Sequence, residues 1–191
     1  MICNVKNIYK KYQSNMVING FDYSFSNGLY LLTGINGIGK STLLKIIAKV
    51  INPSNINYTI DKVKVAYLCE KIELVNTKPT QFLKTICKIN KTKYFIKDDL
   101  NIWNVPDKNI YNLSKGNKQK VALLSMKYTN ADLYIFDEPT DSLDKEGIRL
   151  FCELINELIS NNKIVIISTH EPSYFSNISY EELSLCSEWF F

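Results

Sequence analysis

Residues 34–42 read Gly-Ile-Asn-Gly-Ile-Gly-Lys-Ser-Thr, a run of the form G-x-x-x-x-G-K-[ST]. It lies between the apolar run Leu29–Thr33, which predicts a strand, and LLKIIAKVI, whose spacing predicts a buried helix. A strand, a glycine loop and a helix in that order build an anion site. Gly34, Gly37 and Gly39, with Asn36 between them, let successive backbone N–H groups turn inward, and the helix adds the positive end of its dipole. Lys40 is then placed to bridge the β- and γ-phosphates of a nucleotide, Ser41 to hold Mg²⁺ through its hydroxyl, and Thr42 to reach the α-phosphate. The loop specifies a nucleotide without saying which one.

The chain around this loop has 191 residues, 46% of them hydrophobic, which is enough for one sizeable core. Its net charge of +4 is modest and almost wholly lysine on the basic side, Arg149 being the single arginine. That composition argues against a nucleic-acid binder, which concentrates arginine in a basic stripe. The 5 cysteines form no CxxC pair and point to a reducing compartment. No segment approaches the ~20 apolar residues of a membrane span, and the N-terminus lacks a signal-peptide pattern.

Upstream of the loop, Cys3–Ile8 and Val17–Phe25 predict strands, and Lys64–Leu68 predicts another downstream. PTQFLKTICKI and YFIKDDLNIW predict short helices. From Lys118 the pattern alternates: helix to Tyr128, strand Leu133–Phe136, helix Asp144–Ser160, strand Ile164–Ser168. Such alternation predicts a parallel sheet flanked by helices. The C-terminal ISYEELSLCSEWFF is expected to form a small hairpin.

The strand LYIF runs straight into two acids, Asp137 and Glu138. A carboxylate at the carboxyl edge of a parallel sheet stands where ligands bind in such folds, so Asp137 is expected to reach a metal through water. Glu138 is expected to face an attacking water as general base. The sole histidine, His170, ends KIVIISTH. Although a strand-end histidine is commonly structural, here it is expected to contact the γ-phosphate and steady Glu138.

With these features in this order, the chain resembles the nucleotide-binding subunits of ATP-binding cassette (ABC) transporters. LSKGNKQK, with Ser114 and Gly116, resembles the family signature LSGGQxQR; Lys115, Asn117 and Lys120 depart from its commonest form. Lys115 gives it the LSKG start found in many bacterial exporter cassettes. SLD, ending in Asp144, resembles the D-loop, and STH the H-loop. Tyr12 is similar to the aromatic that stacks on adenine, and Glu70 stands where the family's Q-loop glutamine is expected. There a carboxylate remains able to ligate Mg²⁺.

The resemblance implies an α/β P-loop NTPase fold, with a RecA-like core, an antiparallel β lobe and a short helical lobe at about residues 71–128. It implies one ABC ATPase domain over residues 1–191, with no C-terminal regulatory domain. It further implies an ATP- and Mg²⁺-dependent ATPase, cytoplasmic and peripheral on the membrane. That enzyme would power a separate integral membrane permease, in the exporter direction, by dimerising with an identical or different cassette. A soluble cassette assembly factor and a non-hydrolysing ATP-binding switch are the rival expectations.

Overall fold

The computed structural model describes residues 1–185. Three strands form an antiparallel sheet in the order β2-β1-β4: β1 (Ile2–Tyr12), β2 (Asn15–Ser26) and β4 (Thr59–Ile60). The second sheet has five strands in the order β5-β6-β7-β3-β8, and every pairing in it is parallel. Its members are β3 (Gly28–Thr33), β5 (Val65–Leu68), β6 (Leu133–Asp137), β7 (Ile164–Ser168) and β8 (Tyr180–Ser184).

The apolar runs explain this division. All five residues of β6 and all five of β7 are buried, as strands covered on both faces require. Helix α1 (Lys40–Ile47) packs with the antiparallel lobe on one face, where Leu43, Leu44, Ile46 and Ile47 join Val5, Ile8 and Phe25 in one core. Helix α5 (Lys145–Ser160) covers the other face. There Phe136, Phe151 and Phe175 meet edge to face, with ring centroids 5.1 and 6.0 Å apart.

Helices α2 (Pro79–Asn90), α3 (Ile96–Ile102) and α4 (Lys115–Lys127) lie between β5 and β6 in sequence. Pro79 opens α2, where its missing N–H costs nothing. Buried Asp99 ties α3 to the end of α4, accepting from Lys127 Nζ at 2.9 Å and from the Tyr128 hydroxyl. Among the described residues, no helix is long and apolar enough to cross a membrane.

Three expectations need correction. The signature helix starts at Lys115 rather than Lys118, because Ser114 Oγ accepts from the Asn117 N–H at 3.2 Å and caps it there. The first strand runs past Ile8 to Tyr12, since its pairing with β2 continues through Tyr12↔Asn15. The C-terminal segment does not begin as a hairpin arm: Tyr180–Ser184 joins β3 in parallel, from Leu29↔Tyr180 to Thr33↔Ser184. That edge of β3 offered unpaired backbone groups, and β8 satisfies them. The rest of the expected hairpin, residues 186–191, lies outside the described residues.

Candidate functional site

The loop between β3 and α1 carries the first half of the site. Gly39, the residue preceding α1, has φ 111°, and a Cβ there would stand 3.0 Å from the Val17 carbonyl oxygen. Only glycine takes that conformation at that distance without strain. No side chain caps α1, so its first N–H groups remain available to an anion. Lys40 is buried and donates to the Gly34 carbonyl at 2.8 Å, folding its ammonium over the loop.

The ends of β6 and β7 carry the second half. Asp137 is buried and accepts three hydroxyls: Ser41 Oγ at 3.0 Å and Ser168 Oγ at 2.7 Å on Oδ1, and Tyr67 at 3.2 Å on Oδ2. The Tyr67 phenol is held well above its ordinary range by burial and by the Asp137 charge. Glu138, one residue past the strand, has φ 46° and a side chain only 10% exposed. Neither of its carboxylate oxygens has a hydrogen-bond partner among the described residues. Its nearest polar neighbours are His170 Nε2, 3.0 Å from Oε1, and Lys40 Nζ, 3.7 Å away. Burial raises the Glu138 pKa above the usual carboxylate value, while His170 and Lys40 pull the other way.

These groups border a cavity of about 520 Å³. Tyr12, Asn36, Gly37, Gly39, Lys40, Ser41, Thr42, Glu70, Glu138 and His170 all line it, and the Gly34 carbonyl holds Lys40 in place. The volume suits a nucleoside triphosphate, and the residues fit one. The glycine loop offers backbone donors and Lys40 a buried cation, while Glu138 is a buried acceptor awaiting a proton donor. Exposed Tyr12 stands at the rim, with Lys10 Nζ 5.1 Å from its ring centre. Among the described residues, no group of three or more histidines, cysteines or acids forms a protein-only metal site. A metal beside Ser41 and Asp137 therefore needs phosphate oxygens and water in its shell, as Mg²⁺ normally has.

Five of the expected residues do not line this cavity: Gly34 and Asp137, which lie behind Lys40 and Ser41, and Ser114, Gly116 and Asp144. Ser114 caps α4, and Gly116 is pressed against the loop after β6, where a Cβ would meet Ser142 O at 2.7 Å. Asp144, expected as a cofactor contact, caps α5 by accepting from the Gly147 N–H at 2.8 Å. Its other contact is with buried Lys120, whose Nζ lies 3.1 Å from Oδ1. These two bonds hold its carboxyl below the usual range.

The start of α4 opens instead on a second cavity of about 360 Å³, bordered by Lys115, Lys118 and Ser142 and sharing Glu70, Glu138 and Asp141 with the first. Asp141, Tyr67 and Ser168 were missed by sequence reasoning. Only Asp141 had a signal, as a further acid in the stretch after Glu138.

Comparison with known proteins agrees with this geometry. The family model described as ABC transporter matches residues 19–141. A zinc import ATP-binding protein ZnuC of Wigglesworthia glossinidia brevipalpis is 31% identical over 87% of this chain and 75% of its own. An uncharacterized ABC transporter ATP-binding protein of Methanocaldococcus jannaschii is 32% identical over 87% of this chain and 67% of its own. Among solved structures, an ABC transporter ATP-binding subunit superposes with a TM-score of 0.85 at 22% identity, covering 97% of this chain and 86% of that one. A putative ABC transporter ATP-binding protein of Pyrococcus furiosus gives 0.81 at 24% identity, over 97% and 98%. With the P-loop NTPase fold, the phosphate loop and the Asp137–Glu138 strand end in one chain, the protein belongs to the ATP-binding subunits of ABC transporters and is an ATPase of that family.

Proposed function

We propose that this chain hydrolyses Mg²⁺-bound ATP to drive a separate membrane permease, with Glu138 as general base. The observation that carries the reading is the buried Glu138 carboxylate, without a hydrogen-bond partner among the described residues and 3.7 Å from the phosphate-loop lysine. Lys40 and the α1 N-terminus bind and orient the phosphates. Ser41 and Asp137 hold the metal, Asp137 through water, with Glu70 as a further oxygen donor from the cavity wall. When bound, Mg²⁺ supplies charge neutralisation at the phosphates. Glu138 takes a proton from the attacking water, and His170 steadies its carboxylate and hydrogen-bonds the γ-phosphate. Tyr12 packs against the base.

Ser114 and Gly116 stand apart from their own chain's cavity, so we assign them to the nucleotide of a second cassette, identical or different. Closure of two cassettes on ATP then pulls on a permease, with the chain peripheral on the cytoplasmic face. Glu138→Gln tests both steps. It should cut hydrolysis by about 10²–10⁴-fold, leaving a residual rate, and trap an ATP-dependent dimer; hydrolysis at the parental rate, or monomer alone at saturating ATP, would refute the assignment.

Two observations pull apart on direction. The LSKG start, through Lys115, favours export, while relatives such as ZnuC carry zinc import in their names. A likeness spread over 87% of the chain outweighs one signature residue, so uptake of a divalent metal such as zinc is the first reading and export the second. Accumulation of ⁶⁵Zn by cells with and without the chain separates them. Co-purification of a membrane subunit distinguishes both from a soluble assembly factor.

A further inference from the structure

Ser168 ends β7 and is fully buried beside Asp137, its register partner on β6. Its hydroxyl donates to Asp137 Oδ1 at 2.7 Å and accepts from the Glu138 backbone N–H at 2.9 Å. One oxygen thus fastens the acid expected near the metal and the backbone of the residue expected to act as base. The consequences of losing it are unequal. Asp137 keeps the hydroxyls of Ser41 and Tyr67, whereas Ser168 is what holds the Glu138 N–H. The Glu138 backbone, at φ 46°, lies in the left-handed region that non-glycine residues seldom adopt. Fixing its N–H fixes the direction in which the Cα–Cβ bond leaves the chain.

We infer that Ser168 is a positioning residue for hydrolysis: by holding the Glu138 backbone in its left-handed conformation, it aims the carboxylate at the phosphate-loop cavity. The same strand end grips Glu138 twice, since His170, two residues on, lies 3.0 Å from its Oε1. The inference rests on Glu138 acting as base. A purely structural Ser168 would only satisfy a buried N–H, and its loss would lower stability without a specific kinetic signature.

Single-turnover hydrolysis, with enzyme in excess over labelled ATP, separates the two in the Ser168→Ala and Glu138→Gln cycle. Removing the hydroxyl is expected to slow hydrolysis about tenfold, the rate equivalent of one lost hydrogen bond. Equilibrium binding of ATP and the half-saturating Mg²⁺ concentration should stay within about twofold, because Asp137 retains its other donors. Ser168→Cys, nearly isosteric and a weaker donor, should fall between parent and alanine, and it carries the same cycle if the alanine variant does not fold. In the Glu138→Gln background the added loss should be under about twofold, since a group acting through Glu138 has nothing left to position. A parental rate in Ser168→Ala, or the full tenfold loss recurring beside Gln, would overturn the inference. A parental rate in Glu138→Gln alone would instead overturn the base assignment.

Discussion

Replacing Gly116 with alanine sets two effects of known size against each other. Gly116 is the second residue of α4, and alanine is preferred over glycine inside a helix by about 1 kcal/mol. On propensity alone the variant would be more stable. The added Cβ, however, would stand 2.7 Å from the carbonyl oxygen of Ser142, closer than such atoms approach. The obstruction is backbone, with no flexible side chain to swing aside, so the start of α4 and the 139–144 loop must separate. Overpacking of this kind costs about 1–3 kcal/mol, so it wins, leaving a net loss of about 1 kcal/mol. For a domain of this size that is a fall of about 2–4 °C in Tm, readable by calorimetry. Gly116 does not line the phosphate cavity, so ATP affinity of the monomer should be unchanged while ATP-dependent dimerisation weakens. A raised Tm would show that the contact yields freely, and a parallel fall in ATP affinity would refute the separation of the signature from its own chain's site.

Lys40→Ala should lose ATP binding, by removing the cation held over the glycine loop; unaltered affinity in equilibrium dialysis would sink that role. Glu138 gives a linked pair of pH effects. Burial raises its pKa, and a base must be ionised, so kcat should fall as pH drops through a value above the ordinary 4.5. The same shift means that its favourable contribution to folding is present below the unfolded pKa and lost as pH rises through the folded one. Glu138→Gln should therefore raise the Tm of the ligand-free protein at pH 7 and not at pH 4; an equal gap at both would refute the assigned cause. Asp144→Ala removes the α5 cap, worth about 1 kcal/mol, and also strips buried Lys120 of its carboxylate partner, so urea unfolding should show a loss above that of the cap alone while ATP affinity stays unaltered.

The parts of the site legible in sequence were those whose chemistry constrains residue type and spacing together. Nothing but glycine suits position 39, and an Asp-Glu pair directly after four apolar residues is conspicuous once a phosphate loop precedes it. Ser168 and Tyr67 carried no such mark, because a hydroxyl becomes a partner of Asp137 only through the β6–β7 and β5–β6 registers, which lie between residues far apart in the chain. The fold of the C-terminal segment was hidden for a related reason. Tyr180–Ser184 has the composition of a strand in either arrangement, and the free edge of β3 decided which. Asp144 shows what a motif leaves unsaid: beside the ligand role the resemblance implies, local geometry makes it the cap of α5.

Glu138 gathers several departures from what folding alone would favour. Its backbone is left-handed, its carboxylate is buried without hydrogen bonds, and its pKa is raised by that burial. A left-handed non-glycine residue costs about 1–3 kcal/mol, and an unsatisfied buried polar group a comparable amount. Each is relieved by a small change, such as an asparagine or glycine for the backbone or a glutamine for the charge. A sequence shaped for stability alone would have made one of them. The surrounding contacts do not relieve the carboxylate either: Ser168 holds the backbone rather than the side chain, and His170 and Lys40 stand close without a hydrogen bond to it. The carboxylate is thus kept as an open acceptor at the boundary of two cavities, one beside the phosphate loop and one at the start of α4. On the proposed mechanism, that acceptor is completed by a water molecule poised against a phosphate. On the proposed two-cassette arrangement, that completion is coupled to closure of the second cavity, so a residue left strained and unsatisfied in the lone chain is the one that senses whether the enzyme is assembled.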